Sequence, residues 1–367
     1  MGQLLSQPLT DKVIEYHEQN RFSYCLGSMQ GYRLTQEDAH CFLSEPSLTF
    51  YDVDSTMSKI DVKIFGVFDG HGGSHSSEFI SKTLARVLLQ ELSTRGNPLN
   101  KKTTQGLVIH RIKEAFLKAD YELHQDISTK TIGQNSGSTA IVAIIINNTH
   151  LYSVNTGDSR MVVSFAGTAK NMSFDHKPNH IGELIRINDA GGMVTYNRVS
   201  GVLALSRAFG DFKFKKRGYY PEPQDVKQDD DESSGLESSD GPVITQTPLH
   251  RQRLVSEETQ VTVEPEIICH DLGLEDEFII LACDGIWDVF RNQDVVRFIR
   301  HNLSLGLKLD DITTKLLEHS LALADQTTGV GYDNMSIFIV ACQQDGETLE
   351  EWYQRIKLKV EVEKQLI

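Results

Sequence analysis

Residues 138–165, "STAIVAIIINNTHLYSVNTGDSRMVVSF", decide the fold. An apolar run ends at the turn pair Asn147-Asn148, "LYSV" follows, and "RMVVSF" comes after a short glycine-containing link. Runs joined by links this short favour antiparallel pairing, since a parallel pair needs a crossover of about a dozen residues. Working outward, "IFGVFD" (64–69) reads as a strand, "PEIICHDL" (265–272) and "EFIILAC" (277–283) as a further strand pair, and "NMSIFIVAC" (334–342) as the last strand. Helical spacing marks "SHSSEFISKTLARVLLQEL", with Ile80, Leu84, Val87, Leu88 and Leu92 on one face, and "HRIKEAFLKADYELHQDI". Further helices are expected over 293–303, 311–325 and 348–366. Helices flank clusters of hairpin-linked strands instead of alternating with them. The expected class is α+β, with antiparallel sheets packed together and helices outside, not a doubly wound parallel sheet.

The chain has 367 residues, 39% of them hydrophobic, enough for one large domain or two ordinary ones. Its net charge is −15 and no basic stripe recurs, which argues against nucleic acid and favours cationic partners, metal ions included. Five cysteines without a C-x-x-C pair make a disulfide framework or a structural zinc site a poor reading. The longest apolar run, 140–146, is too short to cross a bilayer, and the N-terminus lacks a secretory signal. The expected location is cytoplasmic, with nuclear or transient membrane-associated populations also open.

The start "MGQLLS" fits the M-G-x-x-x-[ST] pattern for acylation at Gly2. The alternative is an ordinary disordered arm with a chance match. A single acyl chain would give only weak membrane contact. Residues 1–21 are therefore expected to form an N-terminal arm ahead of a domain over 22–343, with a C-terminal helix over 344–367. That helix is expected to pack on its own domain, which leaves a monomer. Residues 215–258, rich in Pro, Ser and acids, read as a disordered insertion.

Acids stand repeatedly at the ends of apolar strands or in glycine turns: Glu37 and Asp38 in "RLTQEDAH", Asp69 in "FDGHGG", Asp158 in "NTGDSR", Asp284 and Asp288 in "ACDGIWDV", and Asp333 in "GYDNMS". Each alone reads as an Asx turn or helix cap. Together they do not. If the strands ending at Asp69 and Asp284 lie side by side, their carboxylates converge, and like charges about 4 Å apart repel by about 4 kcal/mol at an effective dielectric near 20. Cations must intervene, and oxygen ligands select Mg²⁺ or Mn²⁺ over zinc, histidine being the only soft donor nearby. Paired hard ions activate water and screen a phosphate. Arg33 can supply a fixed positive fork, and His71 a proton for a leaving alkoxide, although His71 alone would read as a turn residue.

These motifs, with "SGSTA", "DHKP", "RVSGVLALSRAFGD" and "EPEI", follow one order from about residue 22 to 342, and in that order the chain resembles the metal-dependent type 2C protein serine/threonine phosphatases. The resemblance implies a four-layer αββα sandwich, two packed antiparallel sheets flanked by helices. It implies hydrolysis of phosphoserine and phosphothreonine by a metal-bridged water, without a phosphoenzyme. By motif, Asp69 bridges two metals, while Glu37, the Gly70 carbonyl, Asp284 and Asp333 complete their shells. Asp38 orients a metal-bound water, and Asp158 with Asp284 and Asp288 marks a weaker third-metal position. Arg33 clamps the phosphate and His71 protonates the leaving oxygen. Arg198 and His176 lie in segments near the substrate groove. The substrates implied are phosphoproteins, stress-activated or mitogen-activated kinases among them.

Two rivals remain. "YDVDST" fits D-x-D-x-[TV], the aspartyl-phosphate loop of haloacid-dehalogenase-like enzymes, with Asp52 as nucleophile. That loop needs a buried strand before it, and "SEPSLTF" is short and half polar. No cysteine has an arginine at the C-x₅-R offset. A pseudophosphatase that only binds partners predicts losses among Asp69, Asp284 and Asp333, and all three are present.

Overall fold

The structure is a computed structural model that describes residues 4–97, 99–215, 259–325 and 327–365. Eleven strands form two sheets: β1 (Leu4–His17), β2 (Tyr24–Arg33), β3 (Ala39–Tyr51), β4 (Met57–Phe68), β5 (Ala140–Ile146), β6 (His150–Thr156), β7 (Arg160–Phe165), β8 (Thr168–Asn171), β9 (Glu266–Asp271), β10 (Asp276–Ala282) and β11 (Met335–Ala341). The first sheet runs β1-β2-β11-β10-β7-β8 and the second β9-β6-β5-β4-β3. Every neighbouring pair is antiparallel. Helices α1 (His75–Leu92) and α2 (Thr104–Lys130) cover the second sheet. A short α3 (Ile181–Asp189) and a one-turn α4 (Asp284–Trp287) follow, and α5 (Asn292–Ser304), α6 (Leu309–Ala322) and α7 (Leu349–Gln365) cover the first sheet.

The inner strands read as nearly continuous apolar runs because both of their faces are buried. Along β4, Val62 and Ile64 pack under α1 and α2, while Phe65 and Val67 point into the layer between the sheets. That layer is centred on Tyr24, Phe42, Phe65 and Phe338, whose rings lie 4.7–5.7 Å apart. The four-layer sandwich is therefore built from three stacked apolar layers. The five cysteines are all free. Among the described residues no helix is long and apolar enough to cross a membrane. The C-terminal helix packs on its own domain through Leu349, Trp352, Tyr353, Ile356 and Val360.

Three expectations need correction. "LYSV" and "RMVVSF" do not pair; β6 and β7 lie in different sheets, and the chain crosses between them at Gly157. Gly157 has φ +117°, and a Cβ there would stand 2.6 Å from the Thr139 side chain, so glycine is required at the crossing. "PEIICHDL" and "EFIILAC" likewise part into β9 and β10 of opposite sheets. Finally, Leu4–His17 is no arm but an edge strand, paired with β2 along its length and shifted in register between Leu4 and Lys12. Gly2 and residues 216–258 lie outside the described residues.

Candidate metal centre and active site

At one end of the sandwich β2, β4 and β10 run out and β11 begins, so Arg33, Asp69, Asp284 and Asp333 meet there. Asp69 directly follows β4. Its N–H donates to Thr139 Oγ1 at 3.1 Å, and its carbonyl accepts the Thr139 N–H at 2.9 Å. Asp284 opens α4. The loop carrying Glu37 is tied down by Asn334, whose Nδ2 donates to the carbonyls of Gln30 (2.9 Å) and Thr35 (3.1 Å) and whose Oδ1 accepts the Glu37 N–H at 2.9 Å. Glu37 Oε2 accepts the Gly73 N–H at 3.1 Å. Gly70 is glycine for space: a Cβ there would stand 2.2 Å from the Glu37 carbonyl oxygen.

One ligand atom each from Asp69, Asp158 and Asp284 falls within 4.8 Å of the others, and Asp38, Asp69 and Cys283 form a second such group. Burial first, then the neighbouring carboxylates, hold Asp69 and Asp284 well above the ordinary carboxylate range. Burial, with Asp333 beside it, pushes Asp38 up to about 7, against bonds from Ser336 and Cys283. Asp38 Oδ2 and Asp284 Oδ1 are buried without a hydrogen-bond partner. Orphaned acceptors of this kind, on two acids that each have a carboxylate oxygen near Asp69, fit a cation. The carboxylates that dominate both groups suit a hard divalent ion. Cys283 is a soft donor that the sequence reading overlooked. Burial keeps it a thiol, and its Sγ donates to the Asn334 carbonyl at 3.4 Å and accepts the Ser336 N–H at 3.1 Å.

Above the acids opens a cleft of about 680 Å³, lined by Arg33, His71, Asp158, Arg198, Lys213 and Asp284 among others. Arg33 Nη2 donates to Asp333 Oδ2, and its Nε is buried and unpartnered. His71 Nε2 meets Asp211 Oδ2 at 2.6 Å. Burial alone would lower the His71 pKa, but the charge and hydrogen bond of Asp211 outweigh it and raise it. Arg198 stands exposed on a small ribbon at the rim, its Nη1 donating to the Val202 carbonyl at 2.8 Å.

The expected third-metal and groove residues divide. Asp158 joins the cluster, but Lys177 Nζ already donates to its carboxylate. Asp288 stands outside both groups but within electrostatic reach of Asp158 and Asp284, and burial first, against Lys177 and with Asp158, raises its carboxyl pKa. His176 is absent from the cleft. It is buried, its Nδ1 accepts the Gly157 N–H at 3.1 Å, and burial, with Arg207 nearby, lowers its pKa to about 3. It braces the β6–β7 crossing. Asp52 does follow a strand, β3, but one at the sheet edge, and its carboxylate accepts the Thr104 hydroxyl at 2.8 Å. The length of β4, roughly 35 Å, separates it from Asp69.

Asn334, Lys177 and Asp211 were not singled out from the sequence. Asn334 and Lys177 stand in quoted motifs, each next to a residue that was chosen. Asp211 ends another quoted motif, "RVSGVLALSRAFGD", but its partner is 140 residues away.

The family model described as Protein phosphatase 2C matches residues 22–329. "Protein phosphatase 2C homolog 4" of Saccharomyces cerevisiae is 42% identical over the whole of both chains. "Protein phosphatase 2C homolog 2" of Schizosaccharomyces pombe is 36% identical over 98% of this chain and 83% of its own. A phosphatase from a pathogenic strain of Toxoplasma gondii, 23% identical, superposes with a TM-score of 0.64 over 90% of this chain and 96% of that one, a likeness of fold. The chain belongs to the protein phosphatase 2C family. It is accordingly a protein serine/threonine phosphatase of a metal-dependent family.

Proposed function

We propose that the chain hydrolyses phosphoserine and phosphothreonine in proteins with two Mg²⁺ or Mn²⁺ ions, held by Asp69, Glu37, the Gly70 carbonyl, Asp284 and Asp333. The observation that carries this reading is the pair of buried, unpartnered carboxylate oxygens on Asp38 and Asp284, two acids that each group with Asp69. When bound, such ions activate a water and screen the phosphate from the carboxylates. Arg33, steadied by Asp333, draws the phosphate dianion over the acids with its remaining donors. His71 gives the proton that the leaving serine or threonine oxygen needs. Arg198 and Lys213 present positive charge to the phosphoprotein along the cleft. The family resemblance supports stress- or mitogen-activated kinases as substrates. A binding-only role is disfavoured, since the whole set of acids is kept.

The test is turnover of a phosphopeptide with and without Mn²⁺. Phosphate release should require the metal, and Asp284→Asn should lower kcat/KM at least ~100-fold, since even indirect partners of metal ligands cost 10–100-fold. Asp52→Asn should leave it unchanged. Metal-independent turnover, or an active Asp284→Asn enzyme, would refute the proposal.

A further inference from the structure

Three two-residue strands, Gly70–His71, Gly137–Ser138 and Phe209–Gly210, form a small ribbon beside the cleft. His71 is paired with Gly137, and Gly137 with Gly210. The next residue, Asp211, has its carboxylate buried and reaches across the middle strand to His71 Nε2 at 2.6 Å. The reach exists because Gly137 has no side chain. A Cβ there would lie 2.2 Å from Asp211 Oδ2 and 2.4 Å from His71 Nε2, and the Gly137 backbone is not one that only glycine adopts. Glycine is thus kept at 137 for the passage of one hydrogen bond.

The turn that carries Asp211 is braced from below. The Gly210 N–H donates to Asp120 Oδ1 of α2 at 2.8 Å. Asp120 Oδ2 accepts from Lys215 Nζ at 2.5 Å, and Lys215 also donates to the Ala208 carbonyl at 3.1 Å. Both members of this ion pair are almost wholly buried, so it pins both ends of the 208–215 turn. A buried charge pair is a poor source of stability but a good means of fixing one arrangement. The arrangement fixed here is the one that aims Asp211 at His71.

We infer that Asp211, passing over Gly137, is a positioning residue that commits His71 Nε2 and leaves Nδ1 to deliver the proton to the leaving oxygen. This rests on the reading of His71 as the proton donor. In the step, water oxygen bonds to phosphorus and the bond from phosphorus to the serine or threonine oxygen breaks. That oxygen keeps the electron pair and takes the Nδ1 proton. The proton released by the water restores the one His71 gave. The task of Asp211 is to hold the ring and its tautomer.

A serine alkoxide needs a proton to leave, whereas p-nitrophenolate leaves without one. The experiment therefore measures kcat for the Mn²⁺-loaded enzyme on a phosphoserine peptide and on p-nitrophenyl phosphate, for wild type, His71→Asn, Asp211→Asn and Gly137→Ala. Mn²⁺ half-saturation and melting midpoint are recorded for each. Asp211→Asn and Gly137→Ala should cut peptide turnover about 10–100-fold and p-nitrophenyl phosphate turnover by less than about threefold, with Mn²⁺ half-saturation unchanged, and His71→Asn should show the same selectivity. If Gly137→Ala does not fold, the isosteric Asp211→Asn decides. Equal losses on both substrates, or none, for Asp211→Asn beside a selective loss for His71→Asn would overturn the inference and leave the His71 reading standing. A His71→Asn enzyme without selectivity would overturn both.

Discussion

A histidine held neutral in a protein interior takes stability away as the solution acidifies, and His176 is such a residue. It is 5% exposed, and burial, with Arg207 beside it, sets its pKa near 3. An unfolded histidine titrates near 6.5. Between those values the unfolded chain binds a proton that the folded one refuses, so this group's contribution is intact above about 6.5 and shrinks as pH falls. By pH 5 the loss is about 2 kcal/mol. Asn at this position would still offer Gly157 an acceptor and has nothing to titrate. Urea unfolding at pH 7.5 and pH 5 should show wild type losing about 2 kcal/mol more than His176→Asn over that interval. Equal losses would mean that the imidazole is protonated in place. His71 lies in the opposite environment, where a buried carboxylate outweighs burial, and the contrast separates the two histidines that the sequence had placed together at the substrate site.

At the scale of elements, β1 is the clearest departure from expectation. Its residues alternate poorly, Pro8 interrupts them, and the register shifts twice, all of which suit an edge strand and disguise it in sequence. Ile14 nevertheless packs on the layer under α6, and Lys12 reaches Glu318 at 3.1 Å. Removal of residues 1–17 should lower unfolding stability by about 2 kcal/mol or more, from the burial of Ile14 and the lost ladder. A detached arm would leave the urea midpoint unmoved. The central strands were legible because two buried faces give unbroken apolar runs. Their partners were not, because residues 157–159 and 272–275 carry the chain from one sheet to the other, and link length says nothing about which sheet receives the next strand. The same logic holds at the site. Asp69 and Asp284 stood out as charges ending buried strands, whereas Asp211 acts on a residue that only the ribbon brings near, over a glycine whose purpose is invisible until its neighbours are in place.

For the whole molecule, the packing of the two sheets creates both the site and its liability. The same alignment that brings β4 and β10 to a common edge presses Asp69 against Asp38, Asp158 and Asp284. Burial first, and then the repulsion among these acids, push Asp69 and Asp284 well above the carboxylate range and Asp38 to about 7. Raised carboxyl values mean that the folded chain binds protons more tightly than the unfolded one. In chelator, stability should therefore fall as pH rises from about 4 through the range in which these acids ionise. Neutralising the central acid should relieve the repulsion and remove the cation site together. Asp69→Asn should melt higher than wild type in EDTA, on the order of 1–2 kcal/mol more stable. Adding Mn²⁺ should stabilise the wild type by RT ln(1 + [Mn²⁺]/Kd) per site, which raises its midpoint, and leave the variant's almost unmoved. The two curves should cross as Mn²⁺ is titrated in. A variant that melts below wild type in EDTA would mean that Asp69 stabilises the bare fold, and that the edge is shaped by hydrogen bonding and not by a cation it was built to receive.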